Sequence, residues 1–400
     1  MNGGEGRGNW QEQQARLIQQ ARLVVVKVGS AVLTGPHGLE EEMLASLAGQ
    51  MAALRAMPSG SLSGGQRRIV LVSSGAVAAG RAILRASGHA ARQTADTSGL
   101  AARQAAAALG QGSLMQAWDA AFAPHAIPTA QVLLTRDDLR ARQRFLNARN
   151  TFAELLDWDV LPIVNENDTV AVNELKFGDN DCLASLLVNL TGADLCINLT
   201  SAPGVLDASG QVMSHVPNVG ALDLARLCGG KTLVGTGGMY SKLLAARRAA
   251  QIGVPTLILP GRQPDVLARA FAAAAAGEAL PGTWICPAGH AIPRRKFWLA
   301  YQSEPAGSVQ IDAGAARALL ERGSSLLPGG VCGLEGSFQK GALLRVLHDG
   351  QGLGVGLSNY SAADLKKIMG LKRHEVAAIL GDAHYPDVIH RDNLLLDAAV

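Results

Sequence analysis

Four hundred residues, 48% hydrophobic and 17% charged with a formal net charge of +3, describe a globular chain too long for one small core. So small a net charge excludes any argument for nucleic acid or membrane from charge alone. The five cysteines (Cys182, Cys196, Cys228, Cys286, Cys332) form no CxxC pair, which points away from a disulfide framework or a cysteine metal site and toward free thiols in a reducing cytosol.

Residues 1–20 are polar and rich in Gly and Gln, without the apolar core of a signal peptide, and are expected to form a disordered tail. Short β-branched runs follow at 23–26, 69–72, 160–164, 195–199 and 256–259. Between them, Ala/Leu-rich segments with helical spacing cover 39–57, 99–123, 141–157, 181–191 and 239–252. Strands apolar on both faces, alternating with helices, predict an α/β fold: a mostly parallel sheet sandwiched by helices. The helical alternation stops near Ala276, which sets a first domain at 21–276. Residues 277–293 contain three Pro and three Gly and suit a linker. Short strands with glycine turns at 308–312, 342–346 and 352–356 then predict a second, small β-rich domain at 294–375, followed by a C-terminal extension at 376–400. Residues 285–374 carry 11 Lys/Arg against 6 Asp/Glu, so the basic excess lies there. No stretch is apolar and long enough for a membrane span.

In parallel sheets, ligands sit beyond the carboxyl ends of the strands, so the loops there carry the functional signal. Lys27-Val28-Gly29-Ser30 ends the first run; a lysine and a close-approaching glycine suit a phosphate, or simply a snorkelling lysine and a turn. Ser73-Ser74-Gly75-Ala76 opens a helix, whose free N–H groups suit an anion, or a plain cap by Ser74. Gly235 to Lys242 is a glycine-rich loop with a lysine at a helix start; it fits neither GxxxxGK[ST] nor GxGxxG. A cation there opposes the helix dipole and calls for a bound anion. The stretch VNENDTVAVNELKFGDND, 164–181, packs five carboxylates and four asparagines against the one cation Lys176. His390-Arg391-Asp392-Asn393 is similar to a protein-kinase catalytic loop, but no DFG follows, and it is read as tail.

Together these loops resemble the glutamate 5-kinases of the amino acid kinase superfamily. The resemblance rests on VVVKVGSAVLT, VSSGAVAAGR, GQGSLMQAW, LLTRDD, RFLNARNT, VLPIVNENDTV, FGDNDCLAS and GTGGMYSKLLAA, in order over roughly residues 21–395. From Arg294 through LERGSSLLPGG to GLSNYSAADLKKI the chain resembles a PUA domain, which implies that the second domain is a barrel. The resemblance implies phosphoryl transfer from MgATP to the side-chain carboxylate of L-glutamate, with ATP and Mg²⁺ as cofactors. It implies catalytic roles for Lys27, Lys242 and Asp181, the last orienting the two lysines. It assigns glutamate to Ser74, Gly75, Asn165, Asp168 and Asn180. It assigns the nucleotide to Lys27, Gly29, Ser30, Thr200, Ser201 and the loop Thr236, Gly237, Gly238, Met239, Tyr240, Ser241, Lys242. The family often has Thr-Asp where this chain has Thr200-Ser201. It further implies L-proline as feedback inhibitor, a homo-oligomer, a glutamyl phosphate reductase as partner, and a cytoplasmic location.

The acid-rich stretch then has a physical reading. Asp168, Asn165 and Asp179 can accept from the ammonium of glutamate. No base is needed, because a glutamate side chain with a reference pKa of ~4.3 is already ionised. Magnesium is expected on phosphate oxygens and water, with no protein metal ligand. Competing readings are another kinase of the superfamily, acting on N-acetylglutamate, aspartate, carbamate or a nucleoside monophosphate, an RNA-binding or RNA-modifying PUA protein, and an inactive regulatory scaffold. The first domain is expected to fold alone when the chain is cut near Gly277.

Overall fold

The computed structural model describes residues 5–59, 65–87, 99–171, 179–228, 238–289, 291–301, 305–381 and 385–396. It divides into two compact units, Met1–Ala291 and Ile292–Val400.

The first unit runs α1 (Glu5–Gln20), β1 (Leu23–Val28), α2 (Ser30–Leu33), β2 (Thr34–Gly35), β3 (Gly38–Leu39), α3 (Glu41–Ala56), β4 (Arg68–Ser73), α4 (Ala76–Ala86), α5 (Leu100–Phe122), β5 (Thr129–Leu134), α6 (Arg136–Arg140), α7 (Arg142–Asp157), β6 (Leu161–Glu166), α8 (Asp179–Thr191), β7 (Leu195–Thr200), β8 (His215–Val216), α9 (Leu224–Leu227), α10 (Met239–Gln251), β9 (Thr256–Pro260), α11 (Val266–Ala276) and β10 (Thr283–Ile285). Its main sheet has the order β5-β6-β4-β1-β7-β9-β10-β8, with β9 and β10 antiparallel and the other neighbours parallel. This is the sandwiched, mostly parallel sheet expected from the buried strand runs.

Alternation along β1 sorts the two faces. Val24, Val26 and Val28 join a core with α1, α3, α5 and α11 residues such as Ile18, Leu47, Trp118 and Leu267. Lys27 falls on the opposite face by the two-residue period. Its register partner on β7 is Asn198, on that same face.

The structure differs from the expected elements in three places. The tail expected over 1–20 contains α1, whose Ile18 is fully buried and whose Trp10 stacks on His215 at 4.1 Å. Trp10, Leu17, Ile18 and Ala21 repeat at helical spacing, a face that the Gly/Gln background hides. Arg67 holds the end of α1, donating to the carbonyls of Gln19 and Ala21 at 3.0 Å each. Second, the linker expected over 277–293 contains β10, and Trp284 within it is buried. The Gly and Pro around it are turns flanking a strand, not a spacer. Third, the edge strand β5 has no counterpart among the expected runs; its pattern alternates exposed and partly buried positions.

The second unit runs α12 (Arg294–Tyr301), β11 (Gly307–Ile311), α13 (Ala313–Arg322), β12 (Val331–Glu335), β13 (Leu343–His348), β14 (Gln351–Leu357), α14 (Ala362–Ile368), α15 (Arg373–Leu380) and β15 (Leu394–Leu396). Its sheet has the order β12-β11-β13-β14-β15. The expected C-terminal extension is therefore part of this unit: β15 pairs with β14, and Leu394 and Val376 enter the core. The HRDN sequence is a short helical turn leading into β15, held by Arg391 N–H donating to Ser325 Oγ at 3.0 Å.

Candidate active site

The chain adds β4 and then β6 and β5 on one side of β1, and returns to β7 and β9 on the other. Ligand clefts form at such a reversal, beyond the carboxyl ends of the strands. A cleft of about 920 Å³ opens there. Its walls include Lys27, Gly29, Ser30, Ser74, Gly75 and Asn165. They also include Asp168, Asn180, Asp181, Thr200, Ser201 and Lys242. Segments far apart in the chain thus meet at one place.

The centre of the cleft floor is Asp181, in the first turn of α8 and 1% exposed. Lys27 Nζ, from β1, meets its Oδ1 at 2.6 Å, and Lys242 Nζ, from the first turn of α10, meets its Oδ2 at 3.1 Å. Ser241 Oγ donates to Oδ2 at 2.6 Å and Asn198 Nδ2 to Oδ1 at 2.9 Å. Burial pushes the Asp181 carboxyl up, but the charges of Lys27 and Lys242 outweigh it and hold the group below the usual carboxylate range. Burial, and then the Lys27 charge, push Lys242 down, with Asp181 opposing both. The thiol of Cys196 beneath them is pushed up to about 12 by burial and the Asp181 charge, so it stays neutral.

A second cluster lies on the β6 side. Asn180 Nδ2 donates to Ser74 Oγ at 2.8 Å and to Asn165 Oδ1 at 2.9 Å. Asn165 Nδ2 donates onward to Gln111 Oε1 at 2.8 Å. Asn180 Oδ1 is buried without a hydrogen-bond partner. Burial pushes the Asp168 carboxyl up, with the Arg103 charge opposing. Gly75 precedes α4 at φ 120°, a value that favours glycine, and no side chain caps the helix. Its first N–H groups are left to the cleft.

Three of the residues expected on the nucleotide, Met239, Tyr240 and Ser241, form the first turn of α10. Met239 and Tyr240 pack against the core around Val205, Val216 and Leu243. Ser241 is buried on Asp181 and donates its hydroxyl inward. Thr236, Gly237, Lys176 and the side chain of Asp179 lie outside the described residues. Sequence reasoning passed over Arg81, Arg85, Arg103 and Asn198. The first three line the cleft. A polar residue inside the apolar run LCINLT was the available signal for Asn198.

The arrangement presents two buried cations, an uncapped helix N-terminus and, beside them, acceptors suited to an ammonium group. Among the described residues no cluster of three or more His, Cys, Asp or Glu is placed to hold a metal ion, and no helix is long and apolar enough to cross a membrane.

Comparison with known proteins places both units of the chain in known families. Residues 22–260 match the amino acid kinase family, and residues 307–380 match the PUA domain. The chain is 58% identical over 398 residues to a glutamate 5-kinase of Nitratidesulfovibrio vulgaris, covering 98% of this chain and 100% of the relative. It is 55% identical over 399 residues to a glutamate 5-kinase of Oleidesulfovibrio alaskensis, covering 98% and 100%. It is 50% identical over 390 residues to one of Maridesulfovibrio salexigens, covering 96% and 98%.

Proposed function

The chain belongs to the amino acid kinase family and, within it, to the glutamate 5-kinases, and from that premise we propose how its cleft performs the reaction. The enzyme transfers a phosphoryl group from ATP to the side-chain carboxylate of L-glutamate, the first step of proline biosynthesis. ATP would enter with magnesium, which would add positive charge at the phosphates, and among the described residues no cluster of three or more His, Cys, Asp or Glu is placed to hold the ion. Both oxygens of Asp181 are occupied by nitrogen and hydroxyl donors, in keeping with this.

The nucleophile is already an anion, so the barrier is repulsion between carboxylate and phosphate. Lys27 and Lys242 neutralise the transferring group, and preorganised charge of this kind is the main tool of phosphoryl transfer. Asp181 spaces the two lysines. The open N-terminus of α4, with Ser74 and Gly75, faces the reacting carboxylate together with Asn180. Asp168 and Asn165 take the ammonium, and Arg103 takes the α-carboxylate; its charge already bears on Asp168. Gly29, Ser30, Thr200 and Ser201 line the nucleotide side, with Lys242 beside them. The product is an acyl phosphate that water hydrolyses, so a reductase that accepts it directly is the partner the chemistry calls for. We place the enzyme in the cytoplasm, where ATP and glutamate are found.

The observation that carries this reading is the Lys27–Asp181–Lys242 triad at the reversal of strand order. Purified protein with MgATP and L-glutamate, with hydroxylamine as trap, should yield the γ-hydroxamate. Product from N-acetylglutamate or aspartate but none from glutamate would overturn the assignment of substrate.

A further inference from the structure

Asn198 plays no part in the roles above. It lies in β7, 4% exposed, beside Lys27 in the strand register and on the same sheet face. Its Nδ2 donates to Asp181 Oδ1 at 2.9 Å, the oxygen that Lys27 meets at 2.6 Å. The other oxygen takes Ser241 Oγ and Lys242 Nζ. Each carboxylate oxygen therefore has one neutral donor and one cation. The amide cannot be turned around, because its carbonyl oxygen would then face the carboxylate. In this orientation Asn198 Oδ1 is buried without a hydrogen-bond partner. An orphaned buried acceptor costs free energy, so the amide is a poor core residue and a good carboxylate donor.

We propose that Asn198 is a positioning residue for phosphoryl transfer, holding the Asp181 carboxylate in place while Lys27 and Lys242 turn their charge toward the phosphates. The inference rests on the kinase reading given above. As the lysines engage a phosphoryl group, their hold on Asp181 loosens. A carboxylate 1% exposed cannot turn to water instead. Asn198 Nδ2 keeps its contact on Oδ1, whereas the single hydroxyl proton of Ser241 is shared between Asp181 Oδ2 and the carbonyl of Gly238 at 2.8 Å, which leaves Asn198 as the neutral donor committed to the carboxylate. Asp181 then returns both ammonium groups to the same geometry in every turnover.

The test uses full-length Asn198→Leu and Asn198→Asp, with steady-state kinetics and thermal unfolding. Asn198→Leu removes the donor and the orphaned oxygen together. It should keep or raise Tm and lower kcat about tenfold, the scale of one hydrogen bond to a charged group. The KM for glutamate should stay within about twofold, as for an interaction made mainly in the transition state. Asn198→Asp puts a carboxyl among Asp181, Lys27, Lys242 and the neutral Cys196 thiol. Protonated, it donates as the amide does; ionised, it repels Asp181. Its kcat relative to wild type should therefore recover as pH falls, a rescue that a purely structural residue would not show. Wild-type kcat in Asn198→Leu overturns the proposal. So does a loss of kcat in both variants that follows Tm, with no recovery at low pH. A wild-type chain that forms no glutamyl phosphate removes the kinase reading and Asn198's role with it. An active wild type beside a fully active Asn198→Leu removes only the latter.

Discussion

Lys242 Nζ lies 3.1 Å from Asp181 Oδ2, and both side chains are buried. Lys242 sits in the first turn of α10, where the helix dipole opposes a cation. Burial opposes it too. A negatively charged ligand offsets both. Lys242→Met keeps the buried methylenes and removes the charge, so kcat should fall roughly a hundredfold or more. Lys242→Ala should cost stability as well, since it empties a buried site. Kinetics and Tm on both variants check this, and near-wild-type kcat in Lys242→Met would sink the catalytic role.

Asp168 carries a pH signature. Its pKa is raised by burial, so the folded chain binds that proton more tightly than the unfolded chain does. Ionising it costs stability as pH rises from the unfolded value through the folded one, and below the unfolded value the cost is absent. A bound ammonium group reverses the preference and favours the ionised form. Glutamate KM should therefore fall as pH climbs through the raised Asp168 value. Asp168→Asn should lose that limb and raise glutamate KM at neutral pH by about ten- to a hundredfold, the scale of a charged hydrogen bond, with ATP KM little changed. Equal shifts in both KM values would make Asp168 architectural.

Apolar runs made β1, β4, β6, β7 and β9 legible in the sequence, because strands buried on both faces leave an unmixed signal. β5 was not legible, because an edge strand mixes polar and apolar positions. β10 was hidden among Gly and Pro whose turns flank it, and α1 inside a polar segment whose apolar face appears only at helical spacing. The triad residues were read from their motifs. Asn198 and Arg103 were not, because their importance comes from neighbours distant in the chain: Asn198 is 17 residues from Asp181, and Arg103 is 65 residues from the Asp168 on which its charge bears. Ser241 was assigned to the nucleotide by the family resemblance alone; its hydroxyl at 2.6 Å from Asp181 depends on the turn of α10 and was not legible.

Gly80 is where α4 meets α5. A Cβ there would lie 1.8 Å from the carbonyl oxygen of Ala106, and one at Gly110 would lie 2.0 Å from that of Ala76. Backbone, not a flexible side chain, blocks both positions. Gly80→Ala should push the helices apart and lower stability by about 1–3 kcal/mol, the usual cost of overpacking. Because α4 begins next to Ser74 and Gly75, kcat should fall too. Calorimetry and kinetics on the variant decide; an unchanged Tm would mean that the helices do not pack this closely.

L-proline offers the same α-carboxylate and ammonium groups as glutamate and lacks a phosphate acceptor. Residues that read the shared groups, Asp168 and Asn165, should read proline as well. Proline should then raise the apparent glutamate KM with little effect on ATP, and Asp168→Ala should blunt the inhibition. The second unit is not needed for this contact, since the cleft residues all lie within Met1–Ala291. Where the chain is cut matters. Ending at Gly277 removes β10 with its buried Trp284 and leaves β9 without its antiparallel neighbour. Such a chain should aggregate, whereas one ending at Ala291 should stay soluble, keep a cooperative unfolding transition and respond to proline. Activity against glutamate, with and without proline, in the full chain and in both shortened chains tests each part. No proline effect in the full chain would remove the regulatory idea. A soluble, active chain ending at Gly277 would show that β10 is dispensable, and an insoluble chain ending at Ala291 would show that the first unit does not fold alone.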